Sequence, residues 1–356
     1  MKKLIKHIDL IFTLLFAAAG LIALTSPFVD PAKNWLYAFF ALIFPWLYAA
    51  NFLALLYWVV RLAFGYRHRA FTIIFPLVIL VWGWFTPARI YQHHSFAKAS
   101  PQQKTLRIMT YNTHSLRGFR ETNNKKEKEF KQFLEKTHPD IILCQETSMS
   151  VTKYLADNLH YYSTVYTSKK SKEASIISRY PILKFEQKRF YKSGNAYAWA
   201  DIDVHGKIIR FFSIHLQSNA ISTETKKLAD DADLQKRKTW ATIRKIFALY
   251  RMTARQRTNQ ANEIKQLALQ SPYPVIFAGD FNDPPLSNSY HILSENKKDT
   301  FTERGKGTGM TFPGMSLNLR IDYVLVPNSF KTLRHEVLKV PFSDHYPVMA
   351  DVTWYD

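Results

Sequence analysis

Val275-Ile-Phe-Ala-Gly-Asp-Phe-Asn282 is an apolar run that ends in a carboxylate and an amide; about sixty residues later, Ser343-Asp-His-Tyr-Pro-Val348 offers another carboxylate beside an imidazole. The same arrangement recurs along the chain. Ile108-Met-Thr-Tyr ends in Asn112, Ile141-Ile-Leu-Cys-Gln ends in Glu146, Phe211-Phe-Ser-Ile ends in His215, and Asp322 opens Tyr323-Val-Leu-Val. Polar groups at the ends of apolar strands stand where chains emerge from a core and can converge on a cleft.

Around these motifs, short β-rich runs alternate with helical ones. Residues 106–111, 141–144, 175–178, 198–204, 208–214, 275–278, 321–326 and 348–354 are apolar or alternating and rich in β-formers. His205-Gly206 reads as a hairpin turn between two of them. Helical patterns fit residues 125–136, 152–159, 226–269 and 286–294. Hairpins interspersed with helices predict layered sheets flanked by helices. No internal repeat or low-complexity tract interrupts this pattern.

The first ninety residues differ. Uncharged stretches of 20, 27 and 19 residues lie between Asp9 and Asp30, Lys33 and Arg61, and Arg69 and Arg89. A membrane span needs ~20 apolar residues, so residues 1–90 are expected to form a membrane anchor of three transmembrane helices. A signal peptide is the alternative reading of the first stretch. Lys2, Lys3 and Lys6 precede it, and Arg61, Arg67 and Arg69 separate the second stretch from the third, whereas only Asp30 and Lys33 separate the first from the second. Positive charge stays inside. The catalytic part is therefore expected on the outer face of an integral membrane protein: in a bacterium, the periplasmic or exterior side of the inner or plasma membrane.

Residues 91–103 read as a polar linker, with His93 and His94 more simply solvated than metal-bound, and residues 104–356 as the catalytic domain. The net charge of +20 is spread over both parts. Residues 1–99 hold nine Lys or Arg against two Asp, leaving 39 basic and 26 acidic residues beyond them. Such a domain attracts polyanions, whether nucleic acid or anionic headgroups. Residues 226–269, part of a basic helical insertion near 220–270, set Trp240, Ile243, Phe247 and Tyr250 at helical spacing among many Lys and Arg. That helix suits a membrane surface, a nucleic-acid backbone or its own domain. The single cysteine, Cys144, excludes intrachain disulfides and Cys-rich zinc sites, and its apolar surroundings make it a core residue.

Seven pieces, in this order, resemble the endonuclease/exonuclease/phosphatase superfamily: Thr110-Tyr-Asn-Thr, Cys144-Gln-Glu-Thr, Ile177-Ser-Arg-Tyr-Pro-Ile, Ser213-Ile-His-Leu, Gly279-Asp-Phe-Asn-Asp, Arg320-Ile-Asp-Tyr and Ser343-Asp-His-Tyr-Pro-Val. The resemblance covers nearly all of residues 104–356. It implies an α/β (α+β) four-layer sandwich, two packed mixed β-sheets flanked by helices, with the site where strand ends meet. It also implies roles: Glu146 holds a divalent metal, magnesium or else manganese, with Asn112 and Asp344 completing or supporting the shell. Asp322 and His345 form a carboxylate–imidazole pair that contacts phosphate, Asp280 is the candidate general base, Asn282 binds a phosphate oxygen, and His215 is the candidate to protonate the leaving group. The base could instead be His345. Glu173 is a candidate partner of His215.

Two departures narrow the function. Asn112 is followed by Thr113 and His114 rather than a pattern ending in Asp and Gly, against abasic-site repair, while Tyr346 and Leu319-Arg-Ile-Asp depart from the inositol polyphosphate phosphatases. The expected activity is metal-dependent hydrolysis of phosphodiester bonds, with nucleic acid favoured as substrate. A phospholipid or sphingomyelin-type substrate, or a phosphomonoester, is the alternative, and an inactive polyanion-binding protein is the reading from another class. The bilayer is the expected partner of the N-terminal helices; no protein partner is inferred.

Overall fold

The computed structural model describes residues 7–65, 67–85, 92–98, 103–116, 124–164, 173–219, 237–313 and 319–354. The N-terminal part contains α1 (Ile8–Thr25), α2 (Leu36–Leu42), α3 (Phe44–Ala63) and α4 (Ile74–Gly83), with 3-10 turns over Ser26–Phe28 and Arg67–Ile73. Two helical stretches, Ile8–Phe28 and Phe44–Ala63, are long and apolar enough to cross a membrane, and Arg69–Gly83 is a shorter apolar helix. The long uncharged run after Lys33 is broken at Ile43, where Pro45 in the first turn of α3 supplies no backbone N–H.

These helices are built inside out. Asn51 and Thr13 are buried between them while Phe12, Leu15, Phe52 and Leu53 are each more than half exposed. Asn51 Nδ2 donates to the Phe16 and Leu47 carbonyls, and Trp58 Nε1 donates to Thr13 Oγ1. At one end of the bundle Asp9 binds Arg69 at 3.1 Å.

The rest of the chain runs β1 (Gln92–His93), β2 (Thr105–Asn112), α5 (Asn124–Thr137), β3 (Ile141–Gln145), α6 (Met149–Leu159), β4 (Tyr162–Ser163), β5 (Ala174–Ser178), β6 (Ile182–Arg189), β7 (Ala196–Val204) and β8 (Lys207–His215). It continues with α7 (Arg237–Leu269), β9 (Val275–Asp280), α8 (Asn288–Ser294), β10 (Lys297–Asp299), α9 (Thr300–Arg304), β11 (Lys306–Gly307), β12 (Asp322–Pro327), β13 (Phe330–Val337) and β14 (Val348–Trp354). One six-stranded sheet has the order β13-β14-β2-β3-β5-β4 and the other β10-β12-β9-β8-β7-β6. Only β2/β3 and β8/β9 pair in parallel among these strands, so both sheets are mixed.

The sheets face each other across a core of Leu106, Ile108, Ile141, Leu143, Ile202, Phe211 and Val324. The outer face of the first packs Met109, Tyr111 and Cys144 against Phe130 and Leu155 of α5 and α6. That of the second packs Tyr197, Phe212 and Ile214 against Ile264 of α7 and Tyr290 of α8. The four-layer sandwich expected from the sequence is what forms. Strands buried on both faces read as near-continuous apolar runs, which is why they stood out.

The basic helix begins at Arg237 within the described residues; positions 226–236 of the predicted helix lie outside them. Part of the expected linker is strapped to the domain: Gln92 and His93 pair with Gly307 and Lys306, and Ala97 N–H donates to the Leu333 carbonyl.

Candidate active site

Strand register brings the site together. In parallel β8/β9, His215 lies opposite Asp280, and in antiparallel β12/β9, Asp322 lies opposite the same residue. Asp280 is thus flanked across the sheet by an imidazole and a carboxylate. In the other sheet Asn112 pairs with Gln145, just before Glu146, and Thr110 pairs with Val348, three residues past His345. Beneath the cleft Gln145 Nε2 donates to Ser213 Oγ at 3.0 Å and joins the two sheets.

The chain leaves several strands through left-handed turns. His114, Ser115 and Leu116 have φ of 44°, 54° and 47°, Glu146 has 46° and Asn282 has 52°. Non-glycine residues in that region carry strain of order 1–3 kcal/mol each, and such strain clusters at functional sites. At Gly279, φ is 149° and an added Cβ would fall 1.9 Å from the Ile214 carbonyl oxygen, so only glycine lets β9 lie this close to β8 just before Asp280.

Asp280 is the hub. Its Oδ2 accepts from Asn112 Nδ2 at 3.0 Å and lies 3.7 Å from His345 Nε2 and 3.8 Å from His215 Nε2, while Oδ1 accepts from the Asn282 N–H at 2.8 Å. Burial raises its carboxyl above the usual range, and the Asp322 charge adds to that against the two imidazoles. His345 Nδ1 is 2.9 Å from Asp322 Oδ2. Burial alone would lower the ring, but Asp322 and Asp280 outweigh it and push it up to about 10. The ring is cationic at neutral pH and packs against Phe312 at 4.8 Å between centroids.

His215 is almost wholly buried. Asn195 Nδ2 lies 2.8 Å from its Nε2, and Nδ1 has no hydrogen-bond partner among the described residues. Glu173 Oε2 stands 4.0 Å from that Nδ1, within ion-pair range and beyond hydrogen-bond reach.

Glu146 and Asp344 form the more open half of the cleft. Glu146 accepts from Asn112 Nδ2 at 3.2 Å and faces His114 Nδ1 at 3.1 Å; Asp344 Oδ1 lies 3.7 Å from the same nitrogen. Burial works to raise Glu146, but His215, Asn112, His114 and His345 hold its carboxyl below the usual range. The His114 N–H donates to Asn112 Oδ1 and so turns the Asn112 amide nitrogen toward the two carboxylates, the supporting one of its two expected roles. Asn282 Nδ2 donates to the Leu216 carbonyl at 3.0 Å.

The tightest group of metal-capable residues among those described is Asp280, Asp322 and His345. Asp322 and Nδ1 of His345 are spent on each other, which leaves Asp280 Oδ2 and His345 Nε2 as the free donor atoms of this group. Glu146 and Asp344, oxygen donors one-third and one-half exposed, suit a hard divalent cation.

All eight predicted residues therefore meet in one cleft. Sequence reading missed Asn195, which only the turn before β7 brings to His215, and His114, whose place two residues beyond Asn112 was a usable signal. It also missed the support under the loop that carries Asn282. Asn219 Nδ2 donates to the Asn282 carbonyl at 3.4 Å, and fully buried Arg257 binds Asn219 Oδ1 at 2.7 Å and Asp283 Oδ1 at 2.8 Å.

Residues 109–345 match the Endonuclease/Exonuclease/phosphatase family, and residues 2–90 match a family described only as a domain of unknown function. The chain belongs to the endonuclease/exonuclease/phosphatase family. As a family member it is a hydrolase acting on phosphoester bonds, in a family generally dependent on divalent metal. Similar solved folds include a family protein from Bacteroides thetaiotaomicron, at 16% identity over 72% of this chain and 100% of that one, TM-score 0.52. The human Nocturnin catalytic domain with bound sulfate anion is another, at 15% identity over 74% and 98%, TM-score 0.51. A humanized D. rerio TDP2 shares 18% identity over 70% and 98%, TM-score 0.50. No curated protein sequence matches the chain.

Proposed function

We propose that the chain is a membrane-anchored, divalent-metal-dependent phosphodiester hydrolase whose cleft faces the outer side of the membrane. The observation that carries this reading is the placement of His345 Nε2 and His215 Nε2, at 3.7 and 3.8 Å, around the single oxygen Asp280 Oδ2. A phosphate set among these groups meets a cationic ring, a candidate base and a candidate acid.

Glu146 and Asp344 would hold the metal, with His114 beside both and Asn112 supporting Glu146. A bound hard cation stabilises charge on the phosphate oxygens. Asp280, ionised, orients and deprotonates the attacking water; His345 neutralises phosphate charge, its protonated form maintained by Asp322. His215 delivers a proton to the leaving oxygen, and Asn282 contacts the phosphate. Every position expected of an active enzyme is filled, which disfavours a purely binding protein.

Residues 1–90 would be the anchor and residues 104–356 the catalytic domain. In support of the outward orientation, the α1–α2 connection, which carries little charge, touches the catalytic domain: Asn288 Nδ2 donates to the Pro27 carbonyl at 2.8 Å and the Phe28 ring meets His291 at 5.0 Å. The Asp9–Arg69 cluster forms at the other end of α1.

The charge of the catalytic domain favours nucleic acid or anionic headgroups alike. The position of α7 favours headgroups: Phe247 packs on Trp35 and Phe39 beside α2, so exposed Arg244, Lys245 and Arg251 project next to the N-terminal helices.

The test is hydrolysis of bis(p-nitrophenyl) phosphate by the full chain in detergent with magnesium or manganese. Activity should vanish with a chelator and in Asp280→Ala. Wild-type inactivity with both metals, or full activity in Asp280→Ala, would overturn the reading.

A further inference from the structure

The catalytic loop is rooted in the N-terminal helices. Past Asn282 and Asp283 the chain continues Pro284-Pro285-Leu286, and Leu286 is buried among Leu24, Phe44, Leu47 and Ile79. A cavity of about 310 Å³ opens beside this contact. Phe44, Pro45 and Trp46 of α3 form one wall; Pro284, Pro285 and Met310 form the other. Its polar lining is Thr308 and Arg320, and the Arg320 charge is already met by Asp299 at 2.7 Å.

Both domain-side segments also build the cleft. Pro284 follows the loop that bears Asp280 and Asn282. Met310 precedes Thr311, whose Oγ1 accepts from the Asp322 N–H at 3.2 Å, and Phe312, which packs on His345. Cavity and cleft therefore draw on adjacent stretches of the same two segments.

We propose that this cavity receives the apolar tail of a membrane amphiphile whose phosphodiester headgroup is hydrolysed in the cleft, making a phospholipid rather than nucleic acid the substrate. The inference rests on the anchored-phosphoesterase reading above. An apolar cavity of this size falls at the low end of ligand pockets, ~300–1,000 Å³. The occupant is argued from the wall: Phe44–Trp46 begin a helix apolar and long enough to span a bilayer, Trp46 is 53% exposed on its surface, and lipid chains are the apolar material such a surface meets. A nucleic acid carries charge at every phosphate and has no apolar group of this kind. One water is consumed: its oxygen bonds to phosphorus as the P–O bond to the leaving alcohol breaks. One of its hydrogens leaves on that alcohol and the other stays on the phosphate.

The full chain, in mixed micelles with magnesium, would be given a phosphatidylcholine–phosphatidylglycerol mixture, a single-stranded oligonucleotide and tailless bis(p-nitrophenyl) phosphate. Thr308→Trp at the exposed rim fills the cavity, and Trp46→Gln on the helix side makes its wall polar. Wild type should cleave the lipid in preference to the oligonucleotide. Each variant should lose lipid hydrolysis by about tenfold or more while hydrolysis of the tailless ester stays within about twofold. Oligonucleotide cleavage without lipid cleavage, or equal effects of the variants on both esters, would overturn the inference and leave the phosphoesterase reading standing. Failure on all three substrates would instead remove that reading and this one with it.

Discussion

His345 holds its proton because one ring nitrogen meets Asp322 and the other faces Asp280. Asp322→Asn keeps a hydrogen-bonding side chain and removes the charge, so the ring should deprotonate at far lower pH. Its kcat on bis(p-nitrophenyl) phosphate at neutral pH should fall by ~10²-fold or more, and unchanged kcat would show that the ring's charge is not used. His335 presents the opposite case. It is buried beside Thr300, 2.8 Å from its hydroxyl, and burial pushes its ring down to about 4. The unfolded ring takes its proton near ~6.5 while the folded one refuses it, so stability is intact above that pH and erodes as pH falls toward 4. The shift corresponds to about 3 kcal/mol. Thermal melting of His335→Gln should therefore decline less than wild type between pH 7 and pH 5; parallel decline would assign the acid sensitivity to other groups. The eight site residues were readable from sequence because each sits beside a strongly apolar run. Asn195 and the geometry of His114 depend on turns, whose backbone angles no periodicity reveals.

Elements show the same division. Strands buried on both faces were visible as apolar runs, but β6, Ile182-Leu-Lys-Phe-Glu-Gln-Lys-Arg189, was not, because as an edge strand it exposes Leu183, Lys184, Glu186, Lys188 and Arg189, and little of it reads as core. Strand β13 escaped for a related reason, since it too lies at an edge and carries Lys331, Arg334 and Glu336. The hairpin turn at His205-Gly206 was legible because its φ angles of 56° and 86° call for such residues. Helix α7 was half legible: its spacing marked an amphipathic helix, but not that Arg257 turns inward to Asp283. Breaking a buried ion pair from one side costs ~3–5 kcal/mol. Arg257→Met should lower the denaturant midpoint accordingly and loosen the Asn282 loop, raising KM for the tailless ester; an unchanged midpoint would mean that Asp283 finds another partner. Gly279→Ala should fail to accumulate as folded protein, checked by soluble yield and circular dichroism, because the clash is with backbone that cannot yield.

At the scale of the molecule, the two parts meet through Leu286, Phe247 and Tyr250, whose hydroxyl donates to the Ala38 carbonyl at 2.9 Å. Apolar contacts of this kind contribute ~1.5–3 kcal/mol per large side chain. Residues 104–356 excised from the N-terminal helices should melt on the order of 10 °C below the full chain in detergent and self-associate through the uncovered patch; matching melting curves would show that the parts fold independently. The contact between the N-terminal helices and the rest of the chain lies in single side chains that look like ordinary core residues. The pairing of Gln92 and His93 with β11 bears on how such an enzyme would work. With Gln92 and His93 held by β11 and Leu286 seated among the N-terminal helices, the domain is tied close to those helices. For an enzyme held in this way, turnover should follow the mole fraction of substrate within the surface it rides on, and diluting that surface with inert lipid should slow it even when the total amount of substrate is unchanged.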